Sequence, residues 1–346
     1  MSGYGKIAHQ SLLWERASQS PLRTDCNPPQ DGYPGLQIPE MEPIAMCDDL
    51  TESDNTHFLG RLASTTLNRR HFAALGAGAV TLASVPGCIA KVADQTPAMP
   101  VSGRAVAITT PDGVTDAWFV APVTGKHPAV IMWPDIAGLR DAYKTMATRL
   151  AGAGYAVLAV NHYYRGAKAP VLESLVAWRT PEGQAKLKPL IAEITPAGTT
   201  RDAIAYVAWL DQQAEVDTAR RIGSSGYCMT GGYTVRTAAA VPGRVGAGAS
   251  FHGAGLVDPE AGADSPDKLL AKTRAAYVFA IAQNDDARAP DDKTVLKAAA
   301  AAAGRPAEIE VYPAQHGWCT IDAPIYDEVQ AERAWARMLA LFQANL

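Results

Sequence analysis

Gly226-Tyr227-Cys228-Met229-Thr230-Gly231-Gly232, preceded by Arg221-Ile222-Gly223-Ser224-Ser225, is the stretch on which the fold turns. A strand is expected over 221–225, and a helix over 233–240. Between them one nucleophilic side chain sits among glycines, the strand–turn–helix arrangement of a nucleophile elbow. Glycine is needed there because the turn is strained and the backbones of strand and helix approach closely. The sulfur of Cys228 would then project at a helix N-terminus, where the dipole favours thiolate. Taken alone, the motif fits a buried structural cysteine beside a glycine-rich turn equally well. The rest of the chain has to decide.

Outward from that turn, apolar runs and amphipathic segments alternate. Ala129-Val130-Ile131-Met132-Trp133 and residues 155–160 are continuous apolar runs, the mark of strands buried on both faces. Further strands are expected over 104–109 and 114–121, separated by the turn Pro111-Asp112-Gly113, and over 245–250, 277–282 and 308–312. Helical patterns cover 141–152, 203–212, 233–240, 291–303 and 326–342, while 163–198 is less regular. The expected fold is α/β, a mostly parallel central sheet with helices on both faces. In such sheets chemistry gathers beyond the carboxyl ends of the strands.

Those ends carry reactive groups. The strand at 277–282 leads into Gln283-Asn284-Asp285-Asp286, and the last strand into Pro313-Ala314-Gln315-His316-Gly317-Trp318. Cys228, Asp285 and His316 follow the order nucleophile, acid, histidine of an α/β-hydrolase. A lone histidine is more often structural, but three such residues in this order at three strand ends make a triad. Asp286 competes with Asp285 for the acid's place. The strand at 129–133 leads into Pro134-Asp135-Ile136-Ala137-Gly138. Pro134 has no N–H, so the backbone N–H groups of Ile136 and Met229 are the expected oxyanion-hole donors.

Together, Gly-Tyr-Cys-Met with its glycines, Asp-Ile-x-Gly-Leu at 135–139, Asn161-His162-Tyr163-Tyr164-Arg165 and Gln-His-Gly-Trp at 315–318 resemble the dienelactone hydrolase family. The resemblance covers about 104–346. It implies an α/β-hydrolase fold and a Cys228–His316–Asp285 triad that opens ester or lactone bonds of a small carboxylic substrate through a thioacyl-enzyme, without a cofactor. It also implies that Asp135 partners the thiol, where better-known members carry Glu. Tyr163, Arg165 and Trp318 are read as substrate contacts. Thr230 stands where the family has a glycine, and Thr320 where dienelactone-specific members hold the substrate carboxylate with arginine. Arg165, Arg179, Lys186 and Lys188 are candidates for a second cation. A general carboxylesterase or thioesterase, or a non-catalytic exported binding protein on the same fold, are the alternatives.

Composition agrees with one large domain. The 346 residues are 48% apolar and 19% charged, with a net charge of −4 and no basic stripe for nucleic acid. No apolar run is long enough to span a membrane. The five cysteines form no CxxC pair or zinc-like cluster, so no metal is expected. Residues 1–66, broken by prolines and poor in apolar patterning, are expected to be disordered. Asn68-Arg69-Arg70-His71-Phe72 and the mildly apolar run after it resemble a twin-arginine export signal over 67–90, with Cys88 as a potential lipid anchor. That reading places the domain in the periplasm; a cytoplasmic location is the alternative. The signal's internal position suggests a later start, with Met46 the candidate. Cys319, three residues beyond His316, is expected to pack behind the histidine loop. A reversible disulfide with Cys228 is the sharper alternative.

Overall fold

Strands made wholly of apolar residues have no solvent face, so they must lie in the middle of a sheet covered on both sides. The computed structural model describes residues 54–59 and 98–346. Among these residues eight strands form one sheet, in the order β1-β2-β4-β3-β5-β6-β7-β8. The strands are β1 Val101–Thr110, β2 Gly113–Pro122, β3 Ala129–Trp133, β4 Ala156–Val160, β5 Ile222–Tyr227, β6 Val245–Phe251, β7 Ala276–Ala282 and β8 Ala307–Tyr312. β1 and β2 pair antiparallel, β2 meets β4 antiparallel, and the remaining pairs are parallel.

Side-chain alternation along β3 explains the layers. Ile131 and Trp133 face one way, into a core with Tyr206, Leu210, Val235 and Leu296. Val130 and Met132 face the other way, against Tyr143, Leu150, Met338 and Phe342. The helices supplying these residues are Asp141–Gly152 and Glu328–Asn345 on one face, and Pro196–Leu210, Tyr233–Ala240 and Asp292–Ala302 on the other. Because β3, β5, β6, β7 and β8 run the same way, their carboxyl ends share one edge.

The irregular region also contains helices, Leu175–Trp178 and Pro181–Ala192, and the helix expected from 203 begins earlier, at Pro196. The Thr180 side chain accepts from the Gly183 N–H, and Thr195 accepts from Gly198, each threonine capping a helix that opens on proline. These segments form a third, smaller apolar cluster in which Tyr163, Val171, Trp178 and Leu187 pack with Ile136, Cys228 and Met229.

Within the stretch expected to be disordered, residues 54–59 are helical and belong to the same compact unit as the sheet. Met46, the twin-arginine-like segment and Cys88 lie outside the described residues. Among the described residues no helix is long and apolar enough to cross a membrane.

Candidate active site

The elbow is built as its glycines require. A Cβ on Gly226 would come within 2.3 Å of the Thr230 carbonyl oxygen, and one on Gly231 within 2.4 Å of the Gly253 Cα. Between them Cys228 has φ 58°, a left-handed conformation that a side chain rarely adopts and that marks stored strain at a functional turn. Thr230 does not disturb this turn. Its hydroxyl accepts from the Tyr227 N–H at 3.0 Å and donates to the Trp133 carbonyl at 2.8 Å, tying the elbow to the end of β3.

His316 is supplied by the loop after β8. Its Nδ1 lies 2.7 Å from Asp285 Oδ2, and its backbone N–H donates to Asn284 Oδ1 at 2.8 Å. Asp285 and Asn284 sit on the short helix Gln283–Arg288 that follows β7. One helical step separates the two aspartates, and Asp286 instead pairs with Lys293 at 2.5 Å. Cys228, His316, Ile136 and Asp135 line one cavity at the sheet edge.

The loop after β3 leaves one amide for that cavity. The Asp135 N–H donates to Tyr143 Oη, Ala137 N–H to Asp135 Oδ1, and Gly138 N–H to the Asp135 carbonyl. Of the four amides at 135–138, that of Ile136 alone has no partner within the loop among the described residues. Tyr163 Oη donates to the Ile136 carbonyl at 2.8 Å and lies 3.4 Å from Met229 Sδ, so one phenol braces both expected oxyanion residues.

Four expectations for side chains change here. Asp135 has both oxygens engaged by Arg140, at 2.7 and 3.0 Å, and Arg140 in turn grips Asp322 at 2.7 and 2.8 Å. Burial alone would lower the Arg140 pKa, but the two carboxylates outweigh it and hold the guanidinium charged. Asp135 is thus held as an anchor of the loop after β3, bound by Arg140 and by the Ala137 N–H. Tyr163 is buried and braces that loop; it does not line the cavity. Arg165 is drawn away by Asp202 and Asp112, at 2.9 and 2.6 Å. Trp318 is fully buried, stacked on Tyr312 at 5.3 Å. Of the four candidate cations, Arg179 reaches the cavity.

One residue escaped the sequence reading. His252 follows β6 with φ 40°, and its Nδ1 accepts the Cys228 N–H at 3.1 Å. That bond fixes the tautomer with hydrogen on Nε2. Burial, and then the neighbouring His316, hold its pKa well below the ordinary histidine value, so the ring is neutral. Phe251-His252-Gly253 lies at a strand end like Cys228, Asp285 and His316, which was the available signal. Cys228 is disulfide-bonded in the structure, and Cys319 is a buried free thiol, so the two are not joined. Cys319 packs behind the site with Tyr227 and Trp318.

A mostly parallel sheet, a strained strand–turn–helix at Cys228 and a histidine–aspartate pair at the same edge define an α/β-hydrolase. The model of the dienelactone hydrolase family matches residues 115–346, and the chain belongs to that family. It is similar to a Methylorubrum extorquens protein named "Putative carboxymethylenebutenolidase", 27% identical over 284 residues, or 81% of this chain and 94% of the relative. A Synechocystis protein of the same name is 28% identical over 224 residues, covering 64% of this chain and 88% of its own. Among solved structures, a "Putative Dienelactone Hydrolase" from Klebsiella pneumoniae has the same fold. Its TM-score is 0.61 at 24% identity, with 70% of this chain and 98% of that chain aligned.

Proposed function

We propose that this hydrolase opens ester or lactone bonds of small carboxylic substrates through Cys228 in its reduced form. His316 takes the thiol proton, and sulfur bonds to the substrate carbonyl carbon. The oxygen that becomes negative is met by the N–H groups of Ile136 and Met229. When the carbon–oxygen bond breaks, the leaving oxygen receives the proton held by His316. Water then gives a proton to His316 and attacks the thioester, and the carbon–sulfur bond breaks to return the thiol and a carboxylic acid. Asp285 orients His316 throughout. The names of the relatives favour a lactone as substrate.

The observation that carries this reading is the 2.7 Å bond from His316 to Asp285 beside a cysteine held at φ 58°. The test is hydrolysis of p-nitrophenyl acetate and of a small unsaturated lactone in dithiothreitol. Cys228→Ala and His316→Ala should each lose several orders of magnitude, because the triad acts as a unit. Equal rates in Cys228→Ala and wild type would end the cysteine-hydrolase reading. Export through Arg69 and Arg70 is proposed alongside it. Lysine at both positions should retain the protein in the cytoplasm, whereas unchanged export would reject the signal.

A further inference from the structure

We infer that residues 54–59 close the active site in cis, so that the intact chain is held back until the connection to the domain is cut or the segment displaced. The inference rests on the assignment of Cys228 as nucleophile. Asn55 is buried, and its Nδ2 donates to the backbone carbonyl of the catalytic His316 at 3.1 Å. Asn55 and Leu59 line the same cavity as Cys228 and His316. Two polar contacts pin the segment across the mouth. Asp54 pairs with Arg288 at 2.6 Å, one turn beyond the triad aspartate, and the Thr56 hydroxyl accepts from Arg179 on the opposite rim.

With the segment in place, the cavity beside Cys228 measures about 30 Å³. A site for a small molecule needs roughly 300–1,000 Å³. Asn55 and Leu59 supply part of the wall that narrows this cavity, so displacing the segment would widen the approach to Cys228.

The closure is built to be reversible. Asn55 Oδ1 is buried without a hydrogen-bond partner, so release lets it regain water. The ion pair to Arg288 is half-exposed on the aspartate side, which keeps it weak. What holds such a contact shut is tethering, because the connection through residues 60–97 keeps the segment near the domain at an effective concentration of at most about millimolar. A contact of roughly 0.1 mM affinity is then closed about ten to one, and cutting the tether opens it. The segment lies on the far side of the twin-arginine-like stretch from the domain, so a cut within or after that stretch would separate the two.

The test uses the full chain with a site-specific protease sequence inserted between residues 60 and 97. The protein is reduced with dithiothreitol and desalted. Alkylation of Cys228 by iodoacetamide is followed by mass spectrometry, before cleavage and after the released fragment is removed. The uncut variant Asp54→Lys/Leu59→Lys, which sets like charge against Arg288 and a charge in the apolar contact, is run beside it. Closure predicts a rise of about tenfold in alkylation rate, and in kcat/KM for p-nitrophenyl acetate, in both opened forms. Equal alkylation rates in all three forms would overturn it. Faster alkylation with no hydrolysis in any form would uphold closure and refute the hydrolase reading instead.

Discussion

Arg140→Met tests whether the oxyanion loop is held by charge. Arg140 and Asp135 are each 1% exposed, and the two Arg140 bonds to Asp135 are 2.7 and 3.0 Å long. Removing one partner of a buried pair costs about 3–5 kcal/mol, because the other charge is stranded away from water. Asp322 is 25% exposed at its side chain and rehydrates, so its loss adds little. Asp135 has no such outlet. The expected loss is therefore about 3 kcal/mol, or roughly 6–12 °C in Tm for a domain of this size. Adding Asp135→Asn removes the stranded charge, keeps an acceptor for the Ala137 N–H, and should recover at least half of the loss. Activity should fall by about 10²–10³, the usual worth of one oxyanion donor, since the Ile136 amide loses its frame. Urea unfolding followed by tryptophan fluorescence, with kcat/KM in parallel, measures both. A loss below about 1 kcal/mol, or equal losses in the single and double variants, would refute the reasoning.

Asp285→Asn should lower kcat by orders of magnitude while Asp286→Asn changes it little, read from ester hydrolysis at saturating substrate. Two buried histidines should make the protein acid-sensitive. Burial holds the pKa of His162 down to about 3, and His252 lies well below its ordinary value. Both therefore stay neutral in the fold while the unfolded chain takes up protons below about pH 6.5, so stability is full above that pH and falls as acid is added. His162 contributes a loss of about 2 kcal/mol by pH 5, and His162→Phe should make the fall of unfolding free energy between about pH 6.5 and 5 shallower. Finally, Arg179→Ala should raise KM for a carboxylate-bearing lactone more than for a neutral ester; equal effects would remove Arg179 from substrate binding.

The sheet was legible because its strands announce themselves. Continuous apolar runs at 129–133 and 155–160 have no other home, and Cys228, Asp285 and His316 follow strands whose direction the alternation fixes. The acid was harder, since Asp285 and Asp286 differ by one helical step that no pattern records. Tyr163, Arg165 and Trp318 were misplaced for a shared reason. Aromatic and cationic side chains near strand ends pack inward or pair locally as readily as they meet substrate, and Asp202, the partner that claims Arg165, lies 37 residues away. The helix starts at 181 and 196 hid in a proline-containing stretch, although Thr180-Pro181 and Thr195-Pro196 were start signals. Residues 54–59 gave no periodic stripe, because six residues held by tertiary contacts need none.

Cys228 and Met229 pack among Ile136, Val171, Leu172, Trp178 and Leu187, apart from the two cores that sandwich the sheet. The proposed nucleophile and the 171–187 segment therefore share one small apolar body. A substitution at Val171, Leu172 or Leu187 that reshapes this segment for a new substrate also shifts the backing of the nucleophile. Under the proposed function, substrate range and turnover should be linked by mutation. Natural or laboratory variants that broaden the range through the 171–187 segment should carry a second change near 136 or 229 that restores the rate.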